Sequence, residues 1–404
     1  MMQRRILFVD DEEKILQGLK RLLYGMRDQW KMLFTTSAEE ALEMLSREPA
    51  DVVVSDCRMP GMDGRDFLSE VKRRFSDTVR IVLSGQSEKE AFFKASDVAH
   101  QYLVKPCDPE KLKAVVVRAC TLRDGLKDPR IKQAISRIGS LPSLPSLYAD
   151  LMAELKKEDP SIEKLGNIIS SDIAMSTKVL QLINSPFFGL FRKIANPRDA
   201  VVYLGIASVK ALALGHGVFS QFDKTKLKRC RLDGLWSHSL AVASVARRIA
   251  SYEKQPKEVV DDSFMAGLLH DLGKLILAEV FTQDYEGLLA KGPGQEKRSW
   301  EMEAEAFGAD HAQIGGYVMG LWGMPDNVVE AIFFSHSPGA KPTIGFSPLT
   351  AVHAANAIVE ELSNSGIGTG GTVLDEDYIA TCGLAGRYGK WREAAEECLL
   401  EGKK

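Results

Sequence analysis

Residues 5–11 read RILFVDD. Four apolar residues run into two acids, the pattern of a short strand buried on both faces that ends at a polar edge. The stretch that follows, ILQGLKRLLYGM (15–26), has helical spacing, with Ile15, Leu19, Leu22 and Leu23 placed on one face. KMLFTTS (31–37) is the next strand. Ser37 then precedes AEEALEMLS, with Glu40 three residues on, which predicts a capping box at the start of a helix. DVVVSD (51–56), RIVLSG (80–85) and QYLVK (101–105) supply three more strands, with helical stretches between them. Strands alternating with helices predict a doubly wound α/β domain with a five-stranded parallel sheet of the flavodoxin-like kind.

In that architecture the functional crevice lies at the carboxyl ends of the strands. Asp10 and Asp11 follow the first strand, Asp56 ends the third, Ser84 the fourth, and Lys105 follows the fifth. Carboxylates gathered together repel one another, and oxygen-only ligands favour a hard dication such as Mg²⁺. A dication, a lysine and a hydroxyl beside a spare carboxylate make a site that can accept a phosphoryl group.

The words FVDDE, VSDCRMPGMDG, VLSG and YLVKP stand in order along residues 1–125, and this segment resembles a two-component receiver domain. The resemblance implies that Asp56 is the phosphoacceptor. It implies that Asp10, Asp11, Asp56 and the backbone carbonyl of Arg58 hold Mg²⁺. Ser84, Lys105 and Tyr102 become the switch residues, and Pro106 is expected to follow a cis peptide bond. Arg58 and Gln86 occupy positions that tune phosphate lifetime in such domains. The partner implied is a sensor histidine kinase. Phosphorylation would add charge and acceptor oxygens at Asp56 and rearrange the face made by the fourth helix, fifth strand and last helix. Homodimers paired through that receiver face are expected.

Gly125 and DPR at 128–130 mark the end of the receiver, and IKQAISRIG predicts a helical linker over 126–140. From residue 141 the chain reads as helical to 404, with local breakers at Pro160, Pro186, Pro197, Pro256 and Pro325. LPSLPSL (141–147) reads as a docking strap, NSPFFG (184–189) as a packing turn, and SNSGIGTGGT (363–372) as a surface loop. The words SSDIAMSTKVLQLINSPFFG, AVVYLGIASVKALAL, LWSHSLAVASVARRIA, AGLLHDLGK and DHAQIGGYVMGLWGMP resemble the HDOD domain, a helical output domain related to HD phosphohydrolases. This implies an all-α HD-like domain over 141–404, with a core at about 141–338 and a helical extension over 339–404. Receiver followed by HDOD is a layout of bacterial response regulators.

AGLLHDLGKLIL (266–277) places His270 and Asp271 on a buried helix. His238, His311 and His336 lie on other predicted helices. Four histidines and an aspartate from separate helices can ligate a transition metal, Fe, Mn or Zn, and such a metal can activate water to hydrolyse phosphate esters. His238, His270 and Asp271 match the first half of the HD phosphohydrolase pattern, Lys274 matches the lysine after it, and His311 a further histidine. The match then weakens: Ser335–His336 stands where a histidine doublet belongs, SPGAKP replaces a GYP segment, and Asn356 stands where the last acid is expected. His216 and His353 read as packed or surface histidines, and His100 as a cap before the fifth strand.

Three functions follow. One is a regulator whose HDOD domain binds a downstream protein or nucleotide when Asp56 is phosphorylated. The second is a receiver-gated metallophosphohydrolase acting on a cyclic dinucleotide or another nucleotide. A DNA-binding regulator is the third; a net charge of −3 and the lack of a basic helix speak against direct DNA binding. Neither a signal peptide nor a bilayer-length apolar run is evident, which predicts a cytoplasmic protein away from membranes. The six cysteines form no CxxC pair and are expected to be reduced thiols.

Overall fold

The computed structural model describes residues 3–75, 77–84, 99–125, 160–170, 196–205, 224–230, 234–290, 297–321, 324–341, 344–363 and 372–400, with isolated residues between them. The predicted linker, LPSLPSL, NSPFFG, Gln86 and His216 lie outside the described residues, as does all of the 363–372 loop except its two ends. The side chains of Ser84 and Tyr102 do too, although their backbones sit in strands. The chain divides into two compact units, one holding Met1–Ser143 and Tyr317–Gly323 and the other Leu144–Gly316 and Met324–Lys404.

The first unit is the expected α/β fold. Strands β1 (Arg4–Val9), β2 (Trp30–Thr35), β3 (Val52–Asp56), β4 (Val79–Ser84) and β5 (Gln101–Val104) form one sheet in the order β2-β1-β3-β4-β5, all parallel. Helices α1 (Glu13–Leu22), α2 (Ala38–Arg47), α3 (Gly64–Arg74) and α4 (Pro109–Gly125) connect or close it. Residues of β1 and β3 are buried on both faces, whereas the edge strand β2 is only partly covered. Leu7, Val9, Val53 and Val82 pack with Ala41, Leu45, Phe67 and Val71 from α2 and α3, while Ile6 and Phe8 point the other way and are equally buried.

Two local predictions need correction. The buried face of α1 carries Leu16, and Leu23 follows it, whereas Leu22 is 58% exposed. Leu23 is buried as expected, but Leu16 takes the place of Leu22, and Ile15 and Leu19 are only half-buried. At α2 only half of the capping box forms. Glu40 N donates to Ser37 Oγ at 3.2 Å, but the Glu40 carboxylate turns to the Thr35 hydroxyl, and Thr35 Oγ1 takes the Ser37 N–H. The side chain of Thr35 competes for both groups. His100 does cap the turn before β5: its Nδ1 accepts from Arg80 N at 2.9 Å and its N–H donates to Arg80 O at 2.8 Å.

Past residue 143 the described residues form helices: α5 (Ile162–Ser170), α6 (Pro197–Leu204), α7 (Lys224–Arg229), α8 (Leu235–Tyr252), α9 (Lys257–Leu269), α10 (Leu272–Val280), α11 (Thr282–Ala290), α12 (Ser299–Phe307), α13 (His311–Leu321), α14 (Asp326–Phe333), α15 (Pro348–Ser363), α16 (Glu376–Thr381) and α17 (Tyr388–Leu400). Helix α8 is the axis, packed against α9, α15 and α17. Small residues permit the close approach. A Cβ on Gly267 would stand 2.7 Å from Ala243 Cα, so α8 and α9 touch backbone to backbone.

Residues beyond 338 belong to this core rather than trailing from it. Along α15, Ala351, Val352, Ala354, Ala355 and Ile358 are fully buried. Trp391 on α17 is also fully buried, and its Nε1 donates to Glu253 Oε1 at 2.8 Å. Replacing Trp391 with alanine is expected to lower unfolding free energy by about 3–5 kcal/mol. Urea denaturation checks this, and a loss below about 1 kcal/mol would show that α17 is dispensable.

Candidate functional sites

In the receiver unit, β1 delivers Asp10, β3 delivers Asp56, and Lys105 follows β5 before a cis bond to Pro106, as expected. Lys105 Nζ lies 2.6 Å from Asp10 Oδ2 and 2.6 Å from Asp56 Oδ1, so one ammonium bridges two carboxylates from different strands. Burial opposes the Lys105 charge, but the two carboxylates outweigh it and raise its pKa. Burial pushes the Asp10 carboxyl up despite its bond to Lys105, and the neighbouring Asp56 adds to the shift. The other Asp56 oxygen, Oδ2, accepts from Arg58 N at 3.2 Å, and Asp10 Oδ1 accepts from Glu12 N at 3.1 Å. Gly64 makes this layout possible: a Cβ there would stand 2.0 Å from the Asp56 carbonyl oxygen. Asp11 is exposed beside this pair. Two buried carboxylates sharing one ammonium, with a third acid next in the chain, fit a hard dication with oxygen ligands. The three acids are not drawn into a tight group, however. Among the described residues, the one trio of His, Cys, Asp or Glu ligand atoms within 4.8 Å of each other is His238, His270 and Asp271.

That trio lies in the second unit. His238 projects from α8. The His–Asp pair is not within one helix: α9 ends at Leu269, His270 is its C-cap, and Asp271 is the N-cap of α10. Two residues past Asp271, Gly273 meets the start of α13. A Cβ on Gly273 would stand 1.9 Å from the His311 carbonyl oxygen. His311 opens α13, while His336 sits in the turn after α14 rather than on a helix.

Asp271 is the hub. Its Oδ1 lies 3.3 Å from His270 Nε2 and 3.1 Å from His311 Nε2, and its Oδ2 lies 2.8 Å from Lys274 Nζ and 3.7 Å from His238 Nε2. Burial opposes the Asp271 charge, but His270, Lys274 and His311 hold its pKa well below the carboxylate range. Burial lowers His270 to about 4, so its ring is neutral. His270 Nδ1 is 2.8 Å from Gly267 O and must carry the proton, which leaves Nε2 as a bare acceptor. His311 differs. Burial opposes its charge, yet Glu303 and Asp271 raise it to about 9.

Glu303 was not legible as a site residue, although it is fully buried at the heart of the site. One oxygen accepts from His311 Nδ1 at 2.5 Å and His311 N at 2.9 Å; the other accepts from Tyr285 OH at 2.9 Å. The available signal was an acid sharing a helix face with Trp300 and Phe307. His336 Nε2 meets His311 Nε2 at 2.8 Å, and its ring stacks on Trp300 at 5.5 Å. His353 is a packed histidine, its Nδ1 2.8 Å from Ser335 O and its Nε2 accepting from Asp375 N at 2.9 Å.

His270 Nε2 and Asn356 Oδ1 are buried without an aligned hydrogen-bond donor, and Asp271 Oδ1 has the His311 ring 3.1 Å away, out of line for a good hydrogen bond. Each is an acceptor, and acceptors left bare around two neutral imidazoles fit a cation. His238, His270 and Asp271 would hold it. His311 and His336 adjoin the trio without joining it, because Glu303 and Trp300 hold their rings.

Residues 6–117 match the response regulator receiver domain, and residues 141–338 match the HDOD domain. The chain belongs to the response regulators built from a receiver and an HDOD domain. It is 38% identical over 119 residues to the hydrogenase transcriptional regulatory protein HoxA of Cupriavidus necator, covering 29% of this chain and 24% of that one. It is 27% identical over 205 residues to an uncharacterized protein of Treponema pallidum, covering 50% of this chain and 38% of that one. The chain thus spans about a quarter to two-fifths of these relatives' length. A solved structure from Shewanella amazonensis SB2B, described as a candidate phosphohydrolase, aligns with a TM-score of 0.50 at 20% identity, covering 68% of this chain and 98% of that one. At that identity the likeness speaks for fold alone. No described helix is long and apolar enough to cross a membrane.

Proposed function

We propose that Asp56 accepts a phosphoryl group from a sensor histidine kinase, and that the receiver thereby controls the HDOD domain, which signals by binding a downstream protein or a nucleotide. The observation that carries this reading is the Lys105 ammonium held 2.6 Å from Asp56 Oδ1 at the carboxyl end of β3. In the transfer, an Asp56 carboxylate oxygen bonds to phosphorus as the P–N bond to the kinase imidazole breaks. The departing imidazole takes up a proton. Lys105 offsets the charge that builds on the phosphoryl oxygens. Asp10, Asp11, Asp56 and the Arg58 carbonyl would hold Mg²⁺, which supplies further charge neutralisation when bound. Asp56→Asn is expected to abolish phosphoryl uptake from labelled acetyl phosphate or a phosphorylated kinase while the far-UV circular dichroism stays unchanged. Labelling of the variant at the wild-type level would overturn the assignment.

Pairing of two receivers on phosphorylation is the expected route of control. Light scattering with and without beryllofluoride, an acyl-phosphate mimic, tests it; equal masses in both conditions would rule it out.

A second reading has the HD centre bind Fe, Mn or Zn and hydrolyse a nucleotide phosphodiester. The bare acceptors of His270 and Asn356 favour the metal. The replacement of the expected last acid by Asn356, and the Lys274 and His311 charges already on Asp271, weigh against turnover. We therefore read the centre as a metal-binding or structural core of a regulatory domain. Metal content by mass spectrometry, beside His270→Ala, tests this: near-stoichiometric metal lost in the variant supports binding, and equal traces in both refute it.

A further inference from the structure

We propose that Asn356 serves as the fourth metal ligand through Oδ1, and that Thr372 is the positioning residue that aims it. The proposal rests on the reading that the HD centre binds a first-row divalent metal through His238, His270 and Asp271.

Asn356 is 2% exposed on α15. Its Nδ2 donates to Thr372 Oγ1 at 3.0 Å. Its Oδ1 is buried with no aligned donor. The His238 ring stands beside the amide, and their polar contact favours the charged ring, yet no His238 N–H lines up with Oδ1. The bare oxygen therefore adjoins the trio that already offers three ligand atoms.

An aspartate presents two equivalent oxygens, so either can reach a metal. A carboxamide has one. If it turns over, the NH₂ group faces the metal and binding is lost. An asparagine ligand needs a partner that fixes which way it points, and Thr372 is placed for this. It is 8% exposed, and its backbone N–H donates to the Glu360 carboxylate. Its hydroxyl also lies 3.5 Å from His336 Nδ1. With Thr372 anchored at its backbone and its hydroxyl oxygen receiving the amide N–H, Oδ1 must face the opposite side. Both residues lie past residue 338, beyond the stretch that matches the HDOD domain. The resulting ligand set is two neutral imidazoles, one carboxylate and one amide oxygen, suited to Mn²⁺, Fe²⁺ or Zn²⁺.

The test uses the full chain, stripped with a chelator and titrated with Mn²⁺, with free Mn²⁺ read by electron paramagnetic resonance. Thr372→Val is expected to weaken binding about 10-fold to 100-fold, the usual effect of losing an outer-shell partner. Asn356→Ala should weaken it at least as much, and Asn356→Asp should tighten it. The discriminating variant is Thr372→Val in the Asn356→Asp background. A carboxylate does not need aiming, so there the same change should cost less than about 3-fold. A general packing defect would weaken both backgrounds alike, and that result would overturn the positioning role. Wild-type affinity in Asn356→Ala would remove Asn356 from the ligand set while leaving the metal reading intact. Wild-type protein that binds Mn²⁺ no better than His270→Ala would end the metal reading, and this inference with it.

Discussion

Gly273→Ala should disable the HDOD unit through a single methyl group. The added Cβ would stand 1.9 Å from the His311 carbonyl oxygen, 2.6 Å from its carbon and 2.8 Å from its Cα. All three atoms are backbone at the first residue of α13, so no side-chain rotation relieves the clash. Either α10 or α13 must shift. His311 and Asp271 ride on those two helix starts, and the 3.1 Å contact between them would open. Overpacking of ordinary core sites costs about 1–3 kcal/mol. A collision with backbone at the meeting of two helices is expected at or above the top of that range. Urea denaturation of purified protein checks it, together with Mn²⁺ binding. A variant within about 0.5 kcal/mol of wild type would mean that the two helix starts are not locked together.

Glu303→Ala should be as damaging for a different reason. It removes the acceptor of His311 Nδ1, His311 N and Tyr285 OH at once. It also leaves the Lys274 and His311 charges in the core with Asp271 as the nearest remaining partner. Removing one partner of a buried charge network costs about 3–5 kcal/mol. Tyr285→Phe, which deletes one hydrogen bond, should cost about 1 kcal/mol. The same network predicts a pH dependence. The folded-state pKa of His311, about 9, lies above its ordinary value of 6.5. The stability it contributes is therefore fully present below about pH 6.5 and is lost as pH rises through about 9. Denaturation of metal-free protein between pH 6 and 10 should show this fall, and Glu303→Gln should flatten it. A flat wild-type profile over that range would show that His311 is not held as an imidazolium.

The receiver could be read almost residue by residue. Its strands β1 and β3 are buried on both faces, so they appear as unbroken apolar runs such as ILFV and VVV, and its functional groups stand where those runs stop. Polarity changes abruptly at a strand end, and Asp10, Asp56 and Lys105 lie at such changes. The phase of α1 was harder to read because Leu19, Leu22 and Leu23 give two nearly equivalent apolar stripes, and only packing chose Leu16 and Leu23.

The HD centre was legible in its histidines and aspartate but not in the residues that support them. His270 and Asp271 were visible as polar residues within an apolar stretch, whereas the turn between α9 and α10 was hidden because LLHDLGK has the composition of a continuous helix. Glu303 and Thr372 looked like ordinary helix-face and loop residues. Their contacts are with His311 and Asn356, which are 8 and 16 residues away in the chain.

The sequence by itself determined the two-unit order, the parallel sheet, the acids and the lysine at its strand ends and the residues His238, His270 and Asp271, because periodicity and the polarity of strand ends are local properties of the chain. The tertiary structure alone decided that Lys105 bridges Asp10 and Asp56, that Glu303 holds His311, and that Asn356 turns its oxygen away from Thr372. Each of those depends on side chains from separate elements meeting in a buried site, where an unpartnered polar group is costly and a few tenths of an ångström select its partner.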